Sequence, residues 1–279
     1  MSTRINHNIL ALTAQRNIYQ SQLSLDSAVT RLSSGLRINN AWDDPAGLAV
    51  SERFRAQISS MVEAQRNANY NVNLLETAEG ALSVIDEKLI RMRALSIQAS
   101  NGALSDEDRT ALNVEYGQLR SEITRIASVT NYNGLYLLNG DFSTGTTGVK
   151  FHIGTYNVAD QDYYFVNLEG ATASALGLGT EDLLTTANAQ AAIGALDSAI
   201  TSKDTARTTI GAYVERLQNT IANLQIASES ATRSESQVRD ADIAEEMSNF
   251  VRSQLLMQTG VSMLAQANMI PQIVAGLVG

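Results

Sequence analysis

Residues 31–50 read RLSSGLRINNAWDDPAGLAV, and how they are read decides the fold. The 279-residue chain has only two prolines, so one placed directly after paired aspartates marks a boundary. Asp44 can accept hydrogen bonds from the first free N–H groups of a helix. Pro45 at the first helical position lacks an N–H that would be unpaired anyway. Gly35 suits the stop of a preceding helix. The stretch therefore predicts the end of one helix, a polar joint, and the start of another.

Working outward, apolar side chains at Ile5, Ile9, Leu12, Tyr19, Leu23, Leu32 and Leu36 give the preceding segment a helical period. Downstream, a helix from about Ala46 to Ser100 would be ~80 Å long at ~1.5 Å per residue. Leu75, Ala78, Leu82, Ile85, Leu89 and Met92 alternate steps of three and four, the coiled-coil period. Asn101-Gly102 predicts a left-handed stop. Ser105 followed by Asp108 predicts a capping-box restart. Leu112, Tyr116, Leu119, Ile123 and Ile126 then form a shorter helix that folds back.

From Asn131 the texture changes. Eight of the 18 glycines lie between Gly134 and Gly179, and eight of the 15 aromatics between Tyr132 and Phe165. Asn133-Gly134 and Asn139-Gly140 suit turns that need positive φ. Phe151, Ile153 and Tyr163 to Val166 read as short strands. Helical character returns after Thr180, with Ile193, Leu196, Ile200, Ile210, Val214, Leu217, Ile221 and Leu224 in one register. Lys203 and Arg207 are expected to interrupt that seam, which costs stability but can fix register. A last segment, Val238 to Gly279, carries Ile243, Met247, Phe250, Leu255, Leu264 and Ile270, with Pro271 near its end.

The expected fold is mainly α: an elongated antiparallel helical bundle or coiled coil with a small β-hairpin patch in mid-chain. Its organisation reads as terminal helices at 1–38 and 240–279, a linker at 39–45 and bundle helices at 46–130. A β-rich region at 131–180 and a returning helix at 181–239 complete it.

Residues 1–40 carry Arg4, Arg16, Arg31 and Arg37 against Asp26, a net side-chain charge of +3. Residues 240–279 carry Asp240, Asp242, Glu245 and Glu246 against Arg252, a net of −3. The two ends can therefore pair. Exposed pairs add only ~0.2–1 kcal/mol each, so these charges select partner and orientation. The ends either gain order against neighbouring copies or cover the rest of the same domain.

Composition narrows the function. The net charge of −9 disfavours nucleic acid, whose phosphates need Lys and Arg clusters, and disfavours binding to a membrane surface. No apolar run approaches the ~18 residues of a membrane span, so membrane insertion is not expected. Cysteine is absent, which removes disulfide and thiolate chemistry. The first residues show no apolar signal-peptide core, so export would use another route. His7 and His152 sit in unlike regions with no HExxH, so no metal site or other cofactor is expected. Asp242, Glu245 and Glu246 lack the spacing of a calcium loop and read as a solvated face or salt-bridging groups. Asp106, Glu107 and Asp108 suit a helix N-terminus. No convergent reactive set suggests an enzyme.

Several long stretches resemble the bacterial flagellins. LSSGLRINNAWDDPAGLAV (Leu32 to Val50) is similar to their N-terminal signature, and SQLLMQTGVSMLAQANMIPQIV (Ser253 to Val274) to their C-terminal one. ETAEGAL (Glu76 to Leu82), IRMRALSIQASNG (Ile90 to Gly102) and TNYNGLYLLNGDF (Thr130 to Phe142) are similar too. The resemblance implies a structural subunit of the flagellar filament that forms a helical homo-polymer for motility. It also implies type III-like export to the exterior, an export chaperone, and cap and junction proteins as partners. Whether such a filament is bare, sheathed or periplasmic is left open.

By resemblance, subunit contacts involve Leu32, Gly35, Leu36, Arg37, Asn39, Asp43, Asp44 and Gly47. Leu255, Gln258, Leu264, Gln266, Ala267 and Asn268 on the C-terminal helix join them. Arg91 and Leu95 match a patch that many flagellins present to a Toll-like innate receptor, although Ala94 stands where Glu is usual. Trp42 occupies a position that is usually small or basic. The rival readings are a hook–filament junction protein, which shares the terminal design, and a secreted helical effector.

Overall fold

The computed structural model describes residues 7–143 and 148–278, with side chains described to residue 270. Ile5, Arg4, Gly279 and the Pro271 side chain lie outside the described residues. The elements in order are α1 (Ile9–Ser34), α2 (Pro45–Ala99) and α3 (Asp106–Val129). Four short strands follow: β1 (Asn131–Tyr132), β2 (Leu135–Tyr136), β3 (Val149–His152) and β4 (Tyr163–Val166). The chain ends with α4 (Thr186–Arg239) and α5 (Ile243–Val278). It divides into a terminal unit, residues 1–57 and 230–279, and a central unit, residues 58–229.

The central unit has a conventional core. Leu75, Ala78, Leu82, Ile85, Leu89 and Met92 of α2 are all essentially fully buried, as the three–four spacing predicts. Tyr116, Ile123 and Ile126 of α3 join them in the same cluster. Burial pushes the Tyr116 phenol up to about 12, so it stays a neutral core side chain. Arg93–Asp197 (2.7 Å) and Lys203–Asp86 (2.5 Å) tie α2 to α4 in antiparallel register.

Two features depart from expectation. The α4 seam buries the expected Leu196, Ile210 and Leu217 together with the small residues Ala189, Ala192 and Ala199, while Ile193 and Ile200 sit half-buried beside it. Lys203 does not break that seam. It lies in it, seven residues from both Leu196 and Ile210, and is 3% exposed. Its ammonium meets Asp86 and Asp204. Burial lowers its pKa, but the carboxylates of Asp204 and Asp86 outweigh this and raise it overall.

The end of α2 is the second departure. Gly102 is not among the left-handed residues. The last carbonyls instead accept from a side chain: buried Arg109 donates to the backbone oxygens of Ala99 (3.1 Å) and Asn101 (3.0 Å). A guanidinium satisfies several orphan carbonyls at once, which removes the need for a glycine cap. The capping box at Ser105 and Asp108 forms as read.

In the β-rich part, β1 and β2 pair antiparallel across Asn133-Gly134, whose φ values of 50° and 84° are those of a tight hairpin turn. β3 pairs antiparallel with β4, with Phe151 opposite Tyr164. The loop between β3 and β4 is organised by Asp162, whose carboxylate accepts from the backbone N–H groups of Tyr156 (3.1 Å) and Val158 (3.0 Å).

Candidate functional site

The terminal unit is organised differently. α1 ends at Gly35, whose φ of 72° takes the left-handed conformation that a glycine adopts freely. Leu36 then forms a β-bridge with Asp240. The Arg37 amide donates to the Arg239 carbonyl (2.7 Å), and its guanidinium donates to the Val238 carbonyl (2.6 Å). The Asp43 carboxylate accepts from the amides of Asn40 (2.8 Å) and Asn39 (3.0 Å), which hold it below the usual carboxylate range. The Asn39 side chain donates to Ser34 Oγ (3.1 Å).

Asp44 caps α2, accepting from the Gly47 N–H at 2.8 Å. A Cβ on Gly47 would come within 2.7 Å of the Ile38 Cδ1 and collide with the Asp44 carboxylate. Arg37 approaches Asp44 at 4.0 Å. The joint is thus pinned at both ends, by α4 and by the start of α2.

α1 and α5 pair antiparallel. The Asn8 side chain donates to the Ala267 carbonyl (2.8 Å), Gly260 lies against Ile18, and Arg31 forms an ion pair with Glu246 (2.8 Å). This pair realises the opposite charges of the two ends. The buried or half-buried positions are Ala11, Ala14, Ile18, Ser21, Leu25, Ala28 and Leu32 on α1. On α5 they are Glu246, Phe250, Ser253, Met257, Gly260, Leu264 and Ala267. Both sets alternate three and four, so each is a coiled-coil seam, in which small residues (Ala14, Ser21 and Ala28; Ser253, Gly260 and Ala267) alternate with larger ones such as Ile18, Leu25, Phe250 and Met257.

The large apolar residues point the other way. Ile9, Leu12, Tyr19 and Leu23, which gave the segment its helical period, are exposed, with Leu12 at 63%. So are Leu10 and Val29 of α1, and Ile243, Met247, Leu255, Leu256 and Met263 of α5. The stripe of bulky side chains and the stripe of small ones share the same period on different faces. The small stripe wins the intramolecular contact because the two backbones can then approach closely. An open groove of about 590 Å³ remains between the helices, lined by Leu10, Ala14, Ile18, Leu256, Gly260 and Met263.

The site residues suggested by resemblance fall into three environments. Gly35, Leu36, Arg37, Asn39, Asp43, Asp44 and Gly47 build the pinned joint. Leu32, Leu264 and Ala267 face the partner helix of the same chain. Leu255, Gln258, Gln266 and Asn268 are exposed on α5. In the central unit, Arg91 is exposed and paired with Glu115 at 2.7 Å, whereas Leu95 is fully buried. Sequence reasoning missed Gly260, Ser253 and Ala28. Their signal was the heptad of small residues, which a search for bulky side chains passes over.

Asp242, considered above as a solvated or salt-bridging group, caps α5 through the Ala244 N–H (2.9 Å). Among the described residues no group of three or more His, Asp or Glu is placed to hold a metal ion, and no helix is long and apolar enough to cross a membrane.

Small or polar residues at alternate seam positions, with bulky apolar residues left in solvent, set this helix pair apart from the core of the central unit. Comparison with known proteins gives the family of the chain. Residues 5–143 match the bacterial flagellin N-terminal helical region, and residues 193–278 match the bacterial flagellin C-terminal helical region. The chain belongs to the bacterial flagellin family.

A flagellin from Halalkalibacterium halodurans is 41% identical, the alignment covering 98% of both chains. The flagellar filament 33 kDa core protein of Treponema phagedenis is 40% identical over 98% of this chain and 99% of its own. A solved chain assigned as a flagellar hook-associated protein from Vibrio parahaemolyticus superposes with a TM-score of 0.58. It covers 71% of this chain and all of that one at 17% identity, a likeness of fold alone. As a flagellin the chain is a structural subunit of a filament, and its mainly helical bundle with two β-hairpins is a flagellin fold.

Proposed function

We propose that the α1–α5 pair is the polymerising element of this filament subunit and becomes fully ordered only between neighbouring copies. The observation that carries the reading is the inverted burial of the pair. Within its own chain α1 buries only Ala28 beyond nine-tenths, while Ile9, Leu10, Leu12, Tyr19 and Leu23 stay exposed. Burying one such side chain contributes about 1.5–3 kcal/mol, so neighbours that cover several of them supply what the isolated pair lacks. Contacts of this kind are heterologous and do not close, which yields a helical polymer.

The roles divide accordingly. Leu255, Gln258, Gln266 and Asn268 meet neighbouring copies, Leu32, Leu264 and Ala267 hold the two helices together, and residues 35–47 tie the pair to the end of α4 and the start of α2. Export to the exterior, a chaperone for the C-terminal segment, and cap and junction proteins at the filament ends are what membership of the family implies for this subunit. The role is structural rather than enzymatic. A Toll-like receptor contact on α2 would have to use Arg91 and its exposed neighbours, since Leu95 is core.

The test is seeded elongation. Full-length protein added to filament fragments should lengthen them under the electron microscope. A chain lacking residues 1–35 should keep the helical signal of the central unit and fail to elongate. No elongation by the full chain, or full elongation by the truncated one, would refute the reading.

A further inference from the structure

Trp42 is the only tryptophan in the chain and the most exposed large apolar side chain among the described residues, at 78%. It does not sit on a loose loop. The next residue, Asp43, gathers the Asn39 and Asn40 amides, and the Asp43 N–H donates back to the Asn40 carbonyl at 3.1 Å. The turn is anchored to the end of α4 by the Leu36–Asp240 bridge and by the Arg37 bonds. A rigid turn that holds an indole in solvent has the form of an interface anchor. Tryptophan and arginine dominate the energetics of such contacts.

Its complement is on the same terminal unit. Met247, Val251 and Leu255 stand one helical turn apart along the first turns of α5, all exposed, and with Ser248 and Arg252 they line a shallow groove of about 480 Å³. Arg252 is exposed and has no ion pair among the described residues. A thioether and an unpaired guanidinium flanking an apolar ridge suit an indole through sulfur–aromatic and cation–π contact. The joint and the ridge lie at the same end of the helix pair, because Leu36 bridges Asp240 three residues before α5 begins. Parallel neighbours therefore present the two at similar heights. Within one chain Trp42 remains uncovered.

We propose that in the polymer Trp42 of one copy seats on the Met247–Val251–Leu255 ridge of the next, with Arg252 over the indole face. The inference rests on the filament reading and assigns one of its contacts. Because Trp42 is alone, the intrinsic fluorescence of the full-length protein reports on it directly. In sedimented filaments its emission should shift to the blue and its quenching by acrylamide should fall several-fold relative to dilute monomer.

Trp42→Ala should raise the critical concentration for seeded elongation about tenfold, the loss expected for an interface anchor. Arg252→Ala should raise it less. The double variant should be no worse than Trp42→Ala alone, since contacting residues are not additive. Filaments whose tryptophan emission matches the monomer would overturn the proposal while leaving the filament reading intact. A blue shift with fully additive substitutions would overturn the α5 seat and point to the groove between α1 and α5. Absence of any sedimentable polymer from the unaltered chain would refute the filament reading and this inference with it.

Discussion

Lys203→Met isolates the buried cation of the α2–α4 seam. Methionine keeps the apolar stem and removes the ammonium. Asp86, one-quarter exposed, then loses its 2.5 Å partner and keeps only Arg207 at 3.9 Å. Removing one partner of a fully buried pair costs about 3–5 kcal/mol. Partial exposure of Asp86, the remaining Arg207 and the apolar gain of a methionine in the seam all reduce this. Asp204, well exposed, is resolvated at little cost. The expected loss is about 1–2 kcal/mol, read as a lower urea midpoint of the full chain by circular dichroism.

Adding Asp86→Leu removes the stranded carboxylate and should recover most of that loss, because apolar replacement of a whole buried pair is neutral or stabilising. The pH dependence has a definite sign. A raised folded pKa means the ammonium's contribution is complete below the ordinary lysine value of 10.5 and fades as pH rises through the higher folded value. The gap between wild type and Lys203→Met should therefore close only in strong alkali. Equal urea midpoints at neutral pH, or a double variant weaker than the single one, would refute the argument that the seam holds a paired charge.

Gly260→Ala should weaken filament elongation: helix propensity gains about 1 kcal/mol, but the new Cβ meets Ile18 Cγ1 at 2.8 Å, and overpacking costs about 1–3 kcal/mol. In an Ile18→Ala background the same change should help, which the critical concentration will show. Asp162 is held below its ordinary 3.8 by the Val158 and Tyr156 amides. Its support for the 154–162 loop is therefore present above that value and lost as pH falls through the folded one. Hydrogen-exchange protection factors at the Tyr156 and Val158 amides should fall in acid, and Asp162→Ala should reproduce this at neutral pH.

Local chemistry made much of the fold legible. Asp44-Pro45, Gly35, the Ser105–Asp108 box and Asn133-Gly134 each settle a boundary by the bonds of a few adjacent residues, so sequence suffices there. The Leu75–Met92 stripe is similarly legible, because that face of α2 keeps an unbroken three–four apolar step while the other faces carry only isolated residues such as Val84 and Ile90. Arg109 was not legible as the cap of α2, since the carbonyls it satisfies come from the preceding helix. Nor was Lys203 as a seam residue, since its solvation depends on Asp86, which lies 117 positions earlier.

The terminal helices mark the division most clearly. Sequence alone determined that α1 and α5 exist, that their charges are opposite and that both carry recurrent apolar residues. It could not say which stripe faces the partner helix, because the bulky and the small stripes have the same period. Only the tertiary structure decides that, through the close approach at Gly260 and Ile18 and the pairing of Arg31 with Glu246. The physical reason is that the stripe with a small residue at every other position lets the two backbones approach closely, so it fits between the helices and the bulkier stripe stays in solvent.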